Sequence, residues 1–439
     1  MNLSRYIRHY MKNPLVLGTF LLTASGVLSR IIGFFYRIFL SHTIGAEGIG
    51  IYQLIFPLLA LCSSFTTAGI QTAISKFVAE VSDDQNESRR RCYLAAGLLL
   101  SLSLSFLCAF YLYTHADFLA YHVIHEYRTA PLLRILAYSL PFGAIHSCIS
   151  GYYYGLKKAM IPSVSQLIEQ IVRVASVYVI YRVQMQEQIP ETPAIAVWGI
   201  VCGEISSALF SVAAVRFSKL RLCDFKNALP KIGRLSVPLT GNRVVLNLFT
   251  SIEAILIPLK LNEAGLSTSA ALSMFGVLTG MALPLILFPT SITNSLAVML
   301  LPAVSEASAH GERDRIKKAV SKSITYCMLF GFACTAFFFF GGNFLGMWLF
   351  QNEMSGNFIM QLGFICPFLY LTSTLAAILN GLGRTVQTFC YNLVSICIRL
   401  LFALFAIPAF GIKGYLWGLL ASQIILSVCL TFSLREYLK

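Results

Sequence analysis

Long apolar segments, separated by short polar ones, follow one another along the whole chain. Twelve of them reach the length of about 20 residues that a helix needs to cross a bilayer. Their approximate limits are 14–41, 48–80, 92–114, 131–155, 162–182, 194–216, 232–258, 270–303, 320–342, 357–380, 385–408 and 414–434. Most of the loops between them are too short to hold a further soluble domain. The pattern therefore predicts an all-α polytopic membrane protein with twelve transmembrane helices.

The composition agrees with this interpretation. Only 12% of the residues are charged and 57% are hydrophobic, whereas soluble domains contain about 25% charged residues. Most of the 12 cysteines fall inside apolar segments, and no C-x-x-C pair is present, so we expect neither disulfides nor a metal site nor any cofactor. The basic segment 1–13 leads directly into the first apolar segment, which we interpret as a retained helix and not a cleaved signal peptide.

The positive charges are distributed unevenly between the two sides of the predicted membrane. Of the lysines and arginines in loops, 23 belong to one alternating set and only four, Arg128, Arg182, Lys260 and Lys413, belong to the other. The positive-inside rule then places both termini in the cytoplasm. The net charge of +14 is thus mainly a topology signal, and its anionic partner is membrane lipid; we expect no binding to nucleic acid.

The chain repeats itself at an offset of 226 residues. The matching positions include Val78 and Val304, Glu80 and Glu306, Pro141 and Pro367, Gly155 and Gly381, and Arg173 and Arg399. Six segments per half is an even number, so both halves enter the membrane in the same direction. The sequence predicts two six-helix lobes, residues 1–226 and 227–439, related by a parallel repeat. Transporters place their substrates between such repeats.

Six arginines lie within the predicted spans, with few acids to accompany them. They are Arg30, Arg37, Arg134, Arg173, Arg243 and Arg399, and the acids are Glu169, Glu204 and Glu253. A charged side chain at the bilayer centre costs at least about 2.5–3.5 kcal/mol, so such residues face a protein-lined or watery cavity. The excess of positive charge requires an anion, and arginine binds phosphate through two parallel hydrogen bonds.

The position of each arginine on its helix leaves alternatives open. Arg30 and Arg37 are seven residues apart and lie on one helix face. Arg173 follows Glu169 by four residues, so the two can neutralise each other or share a substrate site. Arg243 and Asn247 share one side of the seventh segment. Glu253 on the same segment either satisfies a buried arginine or binds a coupling cation.

Five stretches resemble the stage V sporulation protein B family. They are Ser29–Arg37 (SRIIGFFYR), Ile44–Gly48 (IGAEG), Ala73–Lys76 (AISK), Leu278–Leu285 (LTGMALPL) and Leu301–Glu306 (LPAVSE). This family belongs to the superfamily of multidrug exporters, polysaccharide flippases and the lipid II flippase. The resemblance implies two lobes around a cavity that opens alternately to each side of the bacterial cytoplasmic membrane. It also implies that Arg30 and Arg37 bind the pyrophosphate of an isoprenyl-linked glycan.

The leading hypothesis is a monomeric flippase for an undecaprenyl-pyrophosphate-linked glycan, such as lipid II or a related precursor of cell wall or spore cortex. Its expected substrate-binding residues are Arg30, Arg37, Arg173, Arg243, Asn247 and Arg399, with Glu253 as the coupling-ion candidate. The alternative is an antiporter of drugs or small molecules coupled to Na⁺ or H⁺, which needs buried acids more than arginines. An enzyme is not expected, because no D-x-D motif is present and His115, His122, His125 and Glu126 fit an ordinary interfacial loop.

Overall fold

The computed structural model describes residues 14–81, 87–215 and 225–438, and these are almost entirely helical. Within those ranges lie 16 α-helices of five or more residues. They are α1 Pro14–Ser63, α2 Gly69–Glu80, α3 Glu87–Thr114, α4 Ala130–Ala137, α5 Ser139–Gly155, α6 Met160–Gln186, α7 Ala194–Ala214, α8 Phe225–Glu263, α9 Thr268–Gly276, α10 Leu283–Leu287, α11 Thr290–Ala309, α12 Arg313–Phe350, α13 Glu353–Gly363, α14 Cys366–Gly381, α15 Thr385–Phe410 and α16 Ile412–Leu438. Parts of the predicted cytoplasmic loops, among them Arg5, Arg8, Lys12 and 216–224, lie outside the described residues.

Eight helical stretches in the described part of the chain are long and apolar enough to cross a membrane, or up to 10 if two bent helix pairs each form one span. The prediction of an all-α polytopic membrane fold is therefore confirmed. The number twelve stays a prediction, because most of the predicted segment 14–41 and all of 48–80 fall within one continuous stretch, Leu22–Glu80.

Gly45 divides the long helix α1. A straight helix of 50 residues would be about 75 Å long, more than twice the roughly 30 Å of a bilayer core. Gly45 has φ 68° and ψ −179°, a conformation that is essentially restricted to glycine. The glycine thus supplies the turn that lets one helical stretch cover two predicted segments.

The two bent helix pairs have similar construction. Tyr127–Ala137 and Ser139–Gly155 meet at 46°, and Glu353–Gly363 and Cys366–Gly381 meet at 58°. In each pair the second helix packs deep in its own unit: Cys148 in α5 and Cys366 in α14 are both inaccessible to solvent. The second helix of each bent pair therefore lies in the protein interior, where irregular backbone is tolerated in membrane proteins.

The chain forms two compact units. The first contains the residues up to Tyr36 together with Leu54–Leu248, and the second contains Arg37–Gln53 together with Phe249–Lys439. Each unit thus includes part of α1 and part of α8. The division of the repeat into lobes 1–226 and 227–439 stays a prediction.

The core of the first unit joins α2, α3, α5 and the start of α8. Ile74 and Cys148 are completely buried there, as is Ile232. A Cβ atom added to Gly151 would lie 2.6 Å from the carbonyl oxygen of Gln71, so the backbones of α5 and α2 are in close contact. Small residues at helix interfaces provide this close packing, which holds helices together where lipid removes the hydrophobic driving force.

The core of the second unit joins α11, α12, α14 and α16, with Leu375 and Ile378 completely buried. Gly414 and Gly418 of α16 face α15; a Cβ on Gly414 would lie 2.4 Å from the carbonyl oxygen of Ala406. The outward side chains include many large apolar ones, such as Phe340, which is 84% exposed. An exposed apolar surface of this kind is typical of a protein surrounded by lipid.

Candidate functional site

Helices α6 and α7 of the first unit lie unusually close together. A Cβ atom on Gly203 would lie 2.9 Å from the carbonyl oxygen of Glu169, and one on Gly199 would lie 2.3 Å from Val177. The Ser165 hydroxyl completes the contact, 3.0 Å from the Ser211 hydroxyl. This packing fixes the polar face of α6 against α7.

A cavity of about 340 Å³ opens beside this contact within the first unit. Its walls come from the end of α1, the following π-helical turn, α2, α5, α6 and α7. The polar lining residues are Ser63, Thr66, Thr67, Gln71, Ser139, His146, Ser147, Ser150, Tyr154, Gln166, Glu169 and Glu204. Hydroxyls, amides and carboxylates of this kind suit a solvated polar ligand and not an acyl chain.

Three ionisable side chains converge in that cavity, each from a different helix. His146 of α5, Glu169 of α6 and Glu204 of α7 place one ligand-type atom each within 4.8 Å of one another. Nδ1 of His146 lies 4.0 Å from Oε2 of Glu204, and the two side chains are 17% and 21% exposed. The small residue Gly143 lies against the same carboxylate, since its Cβ would be 3.4 Å from Oε2 of Glu204.

Glu169 also forms the ion pair with Arg173 that their spacing allows. The guanidinium donates through Nη2 to Oε1 of the carboxylate, and the side chains of Arg173 and Glu169 are only 18% and 12% exposed. The local pairing alternative for these residues is thus confirmed.

The second unit has its own buried ion pair. Oε1 of Glu253 in α8 lies 3.0 Å from Nε of Arg399 in α15, and it accepts a hydrogen bond of 2.8 Å from the hydroxyl of Tyr415 in α16. The Glu253 side chain is only 5% exposed. Glu253 therefore satisfies a buried arginine, one of the two roles left open by the sequence, and that arginine is Arg399 and not Arg243.

The remaining predicted arginines lie on α1 and α8. Arg30 and Arg243 are exposed and belong to the first unit, whereas Arg37 is half-buried and belongs to the second. Asn247, one turn beyond Arg243, donates to Ser64 Oγ and, at 3.3 Å, to the carbonyl oxygen of Ala60. Asn247 thus anchors the first part of α8 to the end of α1.

The structure brings together only some of the predicted site residues, and it adds two that sequence reasoning missed. Arg173 lies beside the cavity, and Arg399 meets Glu253. His146 and Glu204 were not among the predicted site residues, although an ionisable residue inside a predicted span is itself a signal of function. His146 and Glu204 come together because α5 packs near α7, and the periodicity of a single helix does not reveal such a contact.

Glu126 and His115, in the loop after α3, contact residues of the same loop and of α3. Glu126 is ion-paired with Arg128 at 2.8 Å, and its side chain caps the following turn by accepting from the backbone N–H of Arg128. The ring of His115 stacks on Tyr111, with centroids 4.5 Å apart. These contacts fit an interfacial loop.

The sequence of the chain matches a known family over residues 15–308, which is more than half of its length. The chain belongs to the polysaccharide biosynthesis protein family. Stage V sporulation protein B of Bacillus subtilis (strain 168) is 27% identical over 430 residues, covering 95% of this chain and 83% of that protein. The predicted family resemblance is thus confirmed.

Solved structures of two kinds share the fold of this polysaccharide biosynthesis family member. A multidrug resistance MATE family transporter of the MOP superfamily, in an inward-facing conformation, gives a TM-score of 0.75 at 12% identity, covering 96% of this chain and 98% of that one. The lipid II flippase MurJ, in an inward closed conformation, gives 0.72 at 15% identity, covering 95% and 87%. These likenesses establish the fold.

Proposed function

We propose that this protein is a flippase that moves an undecaprenyl-pyrophosphate-linked glycan, lipid II or a related precursor of cell wall or spore cortex, across the bacterial cytoplasmic membrane by alternating access. The support comes from the family match, from the likeness to stage V sporulation protein B and from the fold shared with the lipid II flippase. The observation that carries the proposal is the exposure of Arg30 and Arg243 on two apolar helices of the first unit.

The arginines have different roles in this proposal. Arg30, Arg37 and Arg243 bind the pyrophosphate, because a guanidinium holds phosphate through two parallel hydrogen bonds. Arg173 and Arg399 each form an ion pair with a glutamate. Asn247 positions α8 through its bonds to α1. Arg173 and Arg399 contribute less, since a guanidinium already paired with a carboxylate attracts a second anion more weakly.

The proposed architecture is two six-helix lobes related by a parallel repeat, twelve spans in all, with both termini in the cytoplasm. Support comes from the bent helix pairs, which begin at Tyr127 and Glu353 and end at Gly155 and Gly381, in each case at the repeat offset. A chain that carries both lobes is expected to act as a monomer.

The proposal is tested by complementation in bacteria depleted of their lipid II flippase, with lipid II exposed on the outer face as the measured quantity. We expect the intact chain to restore exposure. A lost charge-assisted hydrogen bond is worth about 1.5–3 kcal/mol, so Arg30→Ala and Arg243→Ala should each reduce flipping at least about tenfold.

Arg134→Ala is the matched control, because Arg134 is paired with Asp117 and is nearly half exposed. Its flipping should equal that of the unchanged chain at equal membrane abundance. Full activity of Arg30→Ala would remove that residue from the site. Failure of a well-inserted chain to restore exposure would exclude lipid II as its substrate.

The second candidate is a cation-coupled exporter of small molecules. It is favoured by the TM-score of 0.75 to a multidrug transporter and by Glu169 and Glu204 in the cavity of the first unit. Export of cationic dyes from cells, dependent on Glu204 and indifferent to Arg30, would support this candidate against the flippase.

A further inference from the structure

The cavity of the first unit contains a carboxylate oxygen whose environment is incomplete. Oε2 of Glu204 is shielded from solvent and has no hydrogen-bond partner among the residues that the structure describes. Leaving a buried polar oxygen without a partner is costly. Nδ1 of His146 lies 4.0 Å from it, which is too far for a hydrogen bond.

The neighbouring groups complete a metal-type donor set. His146, Glu169 and Glu204 offer one imidazole nitrogen and two carboxylate oxygens, all within 4.8 Å of one another. A tetrahedral metal ion about 2.0–2.2 Å from each ligand places the ligand atoms about 3.3–3.6 Å apart. Separations of up to 4.8 Å therefore have to shorten by about 1 Å to reach metal-ligand spacing, a displacement that rotation about the side-chain bonds of a glutamate provides.

The chemistry of the donors selects among cations. Hard cations such as Na⁺, Mg²⁺ and Ca²⁺ prefer oxygen ligands alone, whereas imidazole suits the transition metals. Arg173 holds one oxygen of Glu169, as outer partners commonly do for carboxylates that bind a metal.

The three ligand side chains are accessible, and their helices are held at a fixed spacing. The three side chains line the same cavity of about 340 Å³, so water or a ligand oxygen can occupy the remaining coordination positions. Gly203 holds α7 against the backbone of Glu169, and Gly143 of α5 lies beside the Glu204 carboxylate. The ligands therefore come from three helices whose spacing is already set.

We propose that His146, Glu169 and Glu204 form a binding site for one divalent transition-metal ion in the first unit. The sequence alone predicts no metal site. The site proposed here does not depend on which substrate the protein transports. A bound ion would connect α5, α6 and α7 and give the Glu204 oxygen the partner that it lacks.

The test uses the purified full-length chain, freed of any affinity tag and dialysed against a chelator. Titration with Co²⁺ is followed by calorimetry and by the visible absorption of the ion. We expect one saturable site per chain, with an absorption spectrum of nitrogen and oxygen ligands and without the intense near-ultraviolet band of a cobalt–thiolate bond. Co²⁺ is chosen because that band would expose binding to the free cysteines.

Glu204→Gln keeps the volume and removes the charge, and His146→Leu removes the nitrogen. Loss of an outer partner alone weakens metal sites about 10–100-fold, so either change should weaken Co²⁺ binding at least about 100-fold. Glu253→Gln is the matched control, a buried glutamate of the second unit that already has two partners; it should leave the Co²⁺ affinity unchanged. Thermal unfolding without metal verifies that each variant is folded.

Three outcomes would overturn the proposal. One is the absence of saturable Co²⁺ binding to the folded, metal-free chain. Another is binding that Glu204→Gln and His146→Leu leave intact. The third is a site that takes Na⁺ but not Co²⁺, which would make the cluster a monovalent cation site.

Discussion

At the scale of single residues, the buried charges of this protein are arranged in two different ways. Glu169 and Arg173 are neighbours on one helix, so their pairing follows from a spacing of four residues. Glu253 and Arg399 come from α8 and α15 and meet only because the second unit folds. Tyr415 adds a hydrogen bond to the same carboxylate oxygen. The Glu253–Arg399 pair therefore forms only when the second unit is folded.

We predict that Glu253→Ala destabilises the protein by about 3–5 kcal/mol, because Arg399 is then buried without its opposite charge. Thermal unfolding in detergent measures the change. The double variant Glu253→Ala with Arg399→Leu should recover part of the loss, since neither charge remains. Tyr415→Phe removes a single hydrogen bond to a charged group and should cost less, about 1.5–3 kcal/mol. Equal losses in the single and double variants would contradict this account.

At the scale of helices, most of the fold is predictable from the chain. The segments that the apolar pattern predicts all overlap helices of the structure, because length and hydrophobicity decide what can span a bilayer. The Glu169–Arg173 pair is predictable for the same local reason. The junction of His146 with Glu204, by contrast, depends on how α5 and α7 pack, and nothing in either helix alone encodes it. The continuity of α1 through Gly45 was also missed.

Gly45→Ala should strain α1, because its φ of 68° and ψ of −179° suit glycine and cost another residue roughly 1–3 kcal/mol. Unfolding temperature and membrane abundance measure the effect. Gly26→Ala on the same helix is the control: its added methyl group would have nothing within 4 Å, and alanine favours a helix by about 1 kcal/mol. Equal stability of the two variants would show that the turn at Gly45 does not need a glycine.

The contact of α5 with α2 gives a second prediction for helices. Gly151→Ala would place a methyl group 2.6 Å from the carbonyl oxygen of Gln71, and overpacking of this kind costs about 1–3 kcal/mol. Gly233→Ala in α8 is the counterpart, since its methyl group would meet nothing within 4 Å. Unfolding by guanidinium chloride or by heat should show that Gly151→Ala is less stable than Gly233→Ala. A gain in stability from Gly151→Ala would refute the close approach of α5 to α2.

At the scale of the whole molecule, each compact unit uses a segment from the other half of the sequence. The first unit includes the start of α8 up to Leu248, and the second includes Arg37–Gln53 of α1. Gly69 shows the first dependence, because its Cβ would lie 2.2 Å from Thr240 Oγ1. Gly50 shows the second, with a Cβ that would lie 2.1 Å from the carbonyl oxygen of Leu272.

We therefore predict that a fragment ending at residue 264, after α8, accumulates in membranes and resists protease better than one ending at residue 219. The longer fragment keeps the α8 segment that covers α2, whereas the shorter one exposes the surface around Gly69. Steady-state abundance and limited proteolysis measure the difference. Equal resistance of the two fragments would show that α8 contributes nothing to the first unit.

The shared segments also constrain how such a protein can change by recombination. A crossover at the repeat boundary near residue 226 would pair one parent's α2 with the other parent's α8, and one parent's α9 with the other's Gly50. Two contacts with almost no free space would then have to match by chance. Homologous halves are thus inherited together, and viable chimaeras are expected to join parents inside the loop 264–267, where at least the contact between α2 and α8 stays with its own lineage.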